Sequence, residues 1–178
     1  MKAEQMKLIT RLGQTGLTLT LALYFVVVAF ENISDYQTNF KFVKHVLSMD
    51  SIPLDSNVQW RAIKSTSIQH LTYCLIIGWE ALAGLLCTVG GVRMAIHMKS
   101  REFQAAKREA LAGLWIGILL WSFAFITIAG EWFMMWESAT WSGELAALRM
   151  FTLNSVALLF LQVVNVSTED SKSESIAK

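Results

Sequence analysis

Long stretches without charge dominate the pattern of polar and hydrophobic positions in this chain. Residues 12–30, 65–92, 110–130 and 150–168 contain no Asp, Glu, Lys or Arg apart from Glu80. About 20 apolar residues in a helix cross a hydrocarbon core about 30 Å thick. None of the stretches has the clean amphipathic stripe that a soluble bundle needs. The pattern therefore predicts an all-α polytopic membrane protein, a four-transmembrane-helix bundle with spans at about residues 12–31, 65–93, 109–130 and 148–167.

Little of the chain remains outside these spans, so residues 1–178 are predicted to form a single membrane domain. Residues 31–64 form a structured outer loop in this interpretation, and residues 168–178 form a flexible cytoplasmic tail. The first stretch follows Lys2, Lys7 and Arg11 and ends in Val-Val-Ala, which is also the pattern of a cleaved signal peptide. The apolar run is longer than a usual signal core, which favours an uncleaved span.

The first outer loop has a helical period of its own. Phe40, Val43 and Val46 (or Leu47) recur at helical spacing. This spacing predicts a short amphipathic helix over about residues 37–49, lying on the membrane surface or capping the bundle. Ser56 precedes Gln59 by three residues, the spacing of a capping box, which predicts that the second long helix begins near residue 57.

The distribution of basic residues predicts the orientation in the membrane. Residues 1–12, 93–109 and the tail hold 3, 5 and 2 Lys or Arg, whereas residues 31–64 and 131–149 hold 4 and 1. Loops that carry an excess of Lys and Arg stay on the cytoplasmic side. Both termini and the 93–109 loop are therefore expected to be cytoplasmic.

Composition narrows the class of protein further. The chain is 54% hydrophobic and 16% charged, with two cysteines and a net charge of +1. High hydrophobicity excludes a disordered chain, the low cysteine count excludes a disulfide scaffold, and the net charge excludes a nucleic-acid binder.

Glu80 is the strongest single signal for chemistry, because a carboxylate near the centre of a span is costly unless it is paired or protonated. On a helix it shares a face with Gly84, Cys87 and Gly91, which predicts that it points into the bundle. One interpretation is a protonated structural acid bonded to a neighbour, for which the candidates are Thr18, Thr20, Thr127 and Asn154. The functional interpretation is a proton or cation relay.

Small and aromatic residues suggest packing and surface roles. Gly113 and Gly117 form a G-x-x-x-G motif, and together with Gly84 and Gly91 they are predicted helix-packing positions. Four tryptophans are expected near the outer membrane boundary, as an interfacial belt or as the lining of a ligand cavity: Trp60, Trp132, Trp136 and Trp141.

A set of polar residues is expected to converge at the outer side of the bundle. Its members are Glu31, Asn32, Asp35, His45, Asp50, Arg61, His70 and Glu131. Histidines and carboxylates could bind a metal, but no short ligand-pair spacing is present, so no metal is predicted. The alternative is an ion-pair network in which Lys44 and Arg61 neutralise the acids. Only His70 is expected within the membrane, so haem is disfavoured and no cofactor is predicted.

Several motifs together resemble a known family. The residues are Glu31-Asn32, Asp35-Tyr36, Asn39, the run from Phe42 to Asp50, Trp60-Arg61-Ala62-Ile63, and the run from Gly130 to Trp141. In this order they resemble the bacterial predicted small integral membrane proteins, domain of unknown function 2165. The resemblance covers about residues 10–165 and implies a four-span protein of the bacterial inner membrane, without a particular activity.

Three functions remain open at this point. Small size, the G-x-x-x-G motif and the elaborate outer loop favour a non-catalytic accessory subunit that binds the bilayer and other membrane subunits, or a second copy of itself. A small proton- or ion-coupled transporter that uses Glu80 is the alternative. A lipid- or quinone-active enzyme at the outer face, with His45, His70 and Glu131 as acid/base groups, has the least support.

Overall fold

The computed structural model describes residues 2–53 and 56–176, with side chains described over residues 4–53 and 56–162. Every regular secondary-structure element within these ranges is a helix. The long helices are α1 (Lys2–Ser34), α3 (Thr66–Ile96), α4 (Arg108–Leu119, continuing as a π-helix over Leu120–Trp132) and α5 (Glu144–Ile176). The short helix α2 (Tyr36–Ser48) follows α1, and 3₁₀ turns lie at Gln59–Arg61, Arg101–Phe103, Ala105–Lys107 and Met135–Glu137.

Four of these helical segments are long and apolar enough to cross a membrane: Glu4–Ser34, Thr66–Ile96, Arg101–Trp132 and Glu144–Gln162. Large apolar side chains such as Leu23, Leu75 and Leu85 are exposed on their outer surfaces. In a bilayer, lipid covers such side chains. The predicted fold class, a four-helix membrane bundle, is confirmed.

The bundle is held together by close contacts at glycines of α3 and α4. Helix α3 packs between α1 and α4, and α5 packs against α4, the π-helix and α1. A Cβ on Gly90 would clash with the backbone of Ala110, at 2.7 Å from its Cα, and a Cβ on Gly113 would lie 2.7 Å from Cys87 Sγ. These glycines let the two backbones approach closely, which is how helices associate in a membrane.

Helix α2 covers one end of the bundle. Its buried side chains are Phe40, Val43, Val46 and Leu47, which pack in a cluster that includes Tyr73. The predicted amphipathic helix is thus present, and it caps the bundle. We call this end the α2 end. The opposite end, with Lys7, Arg11 and the basic residues of 93–108, is called the basic end.

The predicted capping box at Ser56 and Gln59 is wrong. Helix α3 begins at Thr66, and Gln59 lies in a 3₁₀ turn where its Nε2 donates to the carbonyl of Met49 at 3.3 Å. A contact across the loop thus replaces the local contact that the spacing suggested.

The third spanning helix does not remain a regular α-helix along its length. The third span changes to a π-helix at Leu120, and Thr127 Oγ1 donates to the carbonyl of Ser122, five residues earlier, at 2.9 Å. Nothing in the sequence pattern predicted this change.

The predicted flexible tail, residues 168–178, lies outside the residues whose side chains the structure describes.

Candidate functional site

Glu80 lies inside the bundle, on the buried face of α3. Its side chain is 2% exposed, and Gly84, Cys87 and Gly91 are buried on the same helix. Its Oε2 accepts a hydrogen bond from Asn32 Nδ2 at 2.7 Å. Asn32 belongs to the last turns of α1, so this bond joins the first two spanning helices.

None of the partners expected for Glu80 from the sequence contacts it. Thr18, Thr20 and Thr127 donate to carbonyls of their own helices, at 2.9 Å in each case. Asn154 donates to the carbonyl of Met150 at 2.8 Å. Hydroxyl and amide side chains in helices often donate to the preceding turn, and the donor of each of these side chains is used in this way.

Asn32 connects Glu80 to a buried tyrosine. The Tyr73 hydroxyl donates toward Asn32 Oδ1 at 3.1 Å, and it also lies 3.1 Å from the Asn32 carbonyl oxygen. The amide of Asn32 thus donates to the carboxylate with its nitrogen and accepts from the phenol with its oxygen. Both partners are 2% exposed, and Asn32 gives each of these buried side chains a hydrogen bond.

A second hydrogen-bonded pair lies nearer to the α2 end. Tyr36 OH and His70 Nδ1 are 2.8 Å apart, and the ring of Phe40 stacks on His70 with centroids 3.9 Å apart. The rings of Tyr36 and Tyr73 lie 4.7 Å apart, so the two pairs are in contact. Burial, helped by a hydrogen bond to Cys74, raises the pKa of Tyr36 and keeps its phenol protonated.

These side chains lie along one route, which we call the polar path and define as His70, Tyr36, Tyr73, Asn32 and Glu80. Hydrogen bonds join its members except Tyr36 and Tyr73, whose rings are in contact. From His70 to Glu80 the helix rises about 15 Å, which is half of a hydrocarbon core about 30 Å thick. The polar path therefore runs from the α2 end to the middle of the bundle.

The buried face of α3 becomes apolar one turn beyond Glu80, toward the basic end. Phe25 is fully buried there, with its Cβ against Gly84 of α3 and its ring against Gly117 of α4. The buried face of α3 continues toward the basic end with small and apolar residues: Ala83, Gly84, Cys87, Gly90, Gly91 and Met94. On α3 the polar path accordingly ends at Glu80, while α1 and α5 bury further polar side chains toward the basic end: Gln14, Thr15, Thr18 and Asn154.

The predicted outer polar cluster divides into separate groups. Asn32 and His70 belong to the polar path, while His45 pairs with Asp50 at 2.9 Å and stacks on Trp141. The remaining acids of the set are exposed: Glu31, Asp35 and Glu131. Among the residues with described side chains, neither Lys44 nor Arg61 forms an ion pair, so the expected ion-pair network through them is not found.

Arg61 instead packs on aromatic rings. Its guanidinium carbon lies 4.6 Å from the centre of the Trp132 ring and 5.6 Å from that of Trp60, and both indoles are exposed. Trp136 is exposed as well. None of the four predicted tryptophans lines the two cavities described below.

The first cavity, of about 210 Å³, lies between α2, α3 and the π-helix. Its lining is apolar and includes Phe42, Trp79 and Phe133, but not Glu80. The second cavity, of about 440 Å³, lies at the basic end. Within the described part of the chain, no group of three or more His, Cys, Asp and Glu is placed to hold a metal ion.

Residues 10–164 match the family model described as predicted small integral membrane protein (DUF2165). The chain belongs to this family. The match spans most of the chain and includes every residue of the polar path and the glycines of α3 and α4. No curated protein and no solved structure matches the chain. As a DUF2165 protein it is a small integral membrane protein that associates with the lipid bilayer.

Sequence reasoning missed Tyr36 and Tyr73 as site residues, and Gly90 as a packing position. His70, Tyr73 and Glu80 are separated by three and seven residues, a spacing that places all three on one helical face. This spacing was a usable signal for Tyr73. Gly90 precedes Gly91 directly, and only the packing of α4 shows that the first glycine makes the closer contact.

Proposed function

We propose that this DUF2165 protein is a small proton-coupled membrane protein, in which Glu80 exchanges a proton with the α2 side. The observation that carries the proposal is the polar path from His70 to Glu80. A buried carboxyl group needs a chain of polar groups to gain or lose a proton, since apolar packing offers no carrier. Titratable side chains within membrane spans commonly mark such routes.

The Asn32 amide suits a Glu80 carboxyl group that exists in both the ionised and the protonated state. Asn32 Nδ2 can donate to an ionised Glu80, in a charge-assisted hydrogen bond, and it can also donate to the carbonyl oxygen of the protonated acid. The Tyr73 hydroxyl holds the Asn32 amide in the orientation that this requires. The hydrogen bond between Asn32 and Glu80 can therefore persist in both protonation states of the acid.

Infrared difference spectroscopy on the reconstituted chain tests this function. Acidification should produce a carboxylic-acid carbonyl band that is absent from Glu80→Gln and shifted in Asn32→Ala, which loses the hydrogen bond. His70→Phe should slow the appearance of the band about a hundredfold, the lower end of what a positioned proton-transfer group contributes.

Glu31→Gln is the matched control, because Glu31 is exposed and adjacent to Asn32. It should keep the band and its rate. Identical spectra of Glu80→Gln and the unmodified chain would show that Glu80 does not exchange a proton, and would end the proposal.

For the orientation, we propose a bacterial inner membrane with both termini and the basic end on the cytoplasmic side. The proposal is supported by 10 Lys and Arg in residues 1–12, 93–109 and the tail, against 5 in the two other connecting segments. In this orientation Glu80 exchanges its proton with the outer side.

Binding to another membrane subunit is a second candidate function, favoured by the exposed surface formed by Trp60, Arg61 and Trp132. Trp and Arg are the residues most enriched at the energetic centres of protein interfaces. A partner that co-purifies in mild detergent should be lost from Trp60→Ala/Trp132→Ala and retained by Trp115→Ala, which removes an exposed tryptophan of α4. Equal retention by both variants would contradict this candidate.

A further inference from the structure

The larger cavity, of about 440 Å³, has three basic residues in its lining: Lys7, Arg11 and Lys99. It lies between the first turns of α1 and the segment that follows α3, and its lining residues are Glu4, Gln5, Lys7, Leu8, Arg11, Met98 and Lys99. Its volume falls in the range of small-molecule sites, about 300–1,000 Å³. Three bases against one acid give the lining a positive charge.

Arg11 is held rigidly at this cavity. Its Nη1 donates to the carbonyls of Met98 and Ser100, at 2.8 and 2.9 Å, and its guanidinium carbon lies 4.6 Å from the centre of the Phe103 ring. The side chain is only 8% exposed, yet it lines the cavity. The hydrogen bonds occupy one nitrogen and the ring covers one face, so the rest of the guanidinium is available to a ligand.

Lys7 and Lys99 complete the basic lining from two different elements. Both side chains are exposed, one on α1 and the other in the turn that follows α3. Flexible ammonium groups can close around an anion that a fixed arginine has oriented. The apolar side chains of Leu8 and Met98 line the same cavity and suit the less polar part of an amphipathic ligand.

We propose that this cavity binds the phosphate group of an anionic phospholipid headgroup. A guanidinium matches phosphate oxygens in geometry and charge. The uncharged stretches at residues 12–30 and 65–92 end beside this cavity, so headgroups of the surrounding bilayer are expected at the same level. Basic pockets between transmembrane helices are suited to anionic headgroups. The site is at the opposite end of the bundle from the polar path and does not depend on proton exchange by Glu80.

The test uses the full chain in detergent, titrated with phosphatidylglycerol or phosphatidylcholine, with bound lipid counted by native mass spectrometry. The unmodified chain should prefer phosphatidylglycerol. Lys7→Gln/Lys99→Gln should weaken that binding about 30-fold, because each basic residue near an anionic group contributes about a fivefold factor. Lys41→Gln/Lys64→Gln removes the same charge from exposed positions toward the α2 end and should bind as the unmodified chain does.

Two controls keep the result interpretable. Unfolding temperatures of the variants should be equal, since all four lysines are exposed. In sealed membrane vesicles from which the chain is purified, with a Cys74→Ser background, a membrane-impermeant maleimide should label Arg101→Cys from the same side in both double variants. This result shows that the charge changes did not alter the orientation.

Equal lipid binding by the two double variants, or equal binding of the two lipids, would overturn the proposal. Competition with inorganic phosphate distinguishes a site for a lipid headgroup from a site for a free anion. If phosphate displaces phosphatidylglycerol at a similar concentration, the site takes a free anion and the lipid assignment is wrong. If short-chain phosphatidylglycerol displaces the bound lipid and phosphate does not, the assignment holds.

Discussion

Gly90→Ala should lower the unfolding temperature in detergent by about 5 °C or more. The added methyl group would meet the backbone of Ala110, which cannot move away as a flexible side chain could. Overpacking of a close contact costs about 1–3 kcal/mol, and a chain of this size loses about 2–4 °C per kcal/mol. The helices α3 and α4 would have to separate, which would also disturb the contact of Gly113 with Cys87.

Gly78→Ala is the control in the same helix. Nothing lies within 4 Å of a Cβ at this position, so the change adds a methyl group on the exposed side of α3. It should leave the unfolding temperature unchanged or raise it slightly, because alanine favours helix more than glycine does. Equal changes in unfolding temperature for the two variants would contradict the close α3–α4 contact at Gly90, because only Gly90 faces the backbone of α4.

Asn32→Leu should lower the free energy of unfolding by about 1–3 kcal/mol. The substitution removes the donor to Glu80 and the side-chain acceptor of Tyr73, whose hydroxyl keeps the backbone carbonyl of residue 32 at 3.1 Å. Glu80 is then the buried polar group left without a partner, and such a group costs about 1–3 kcal/mol. The loss should appear as a lower unfolding temperature and as weaker protection of α1 and α3 in hydrogen exchange.

Replacing the whole group tests the same argument in the opposite direction. Asn32→Leu/Glu80→Leu/Tyr73→Phe leaves no polar atom of this group buried, and it should regain most of the lost stability, because removing all partners together is close to neutral. It should still lack the infrared band of Glu80. Glu31→Leu, at an exposed neighbouring position, should change stability little. A triple variant less stable than Asn32→Leu would contradict the pairing described here.

The spacing of charged residues along the chain was enough to predict the four spanning helices. Transfer of a charge into hydrocarbon is so costly that uncharged stretches of about 20 residues have few alternatives to a membrane span. The period of Phe40, Val43 and Val46 likewise predicted α2, because a helix at a boundary must bury one side.

The candidate site could be predicted only in part. The sequence singled out Glu80, since one acid in an apolar span is visible without any structure. It did not reveal Asn32 as its partner, because the choice among several amides and hydroxyls depends on which helices are adjacent and how far each is shifted along its axis. The same reason explains the separation of His45 and Asp50 from His70 in the structure.

By itself, then, the sequence determined that this protein lies in a lipid bilayer, that it has four spanning helices and that one acid is buried among them. All three follow from the large free energy of placing a charge in lipid. Only the tertiary structure decided that Asn32 and Tyr73 complete the site of Glu80, that a methyl group on Gly90 would meet the backbone of α4, and that Arg11 lies beside a basic cavity. Such pairings are decided by contacts between helices that are distant in the chain, where a shift of one turn brings different side chains together.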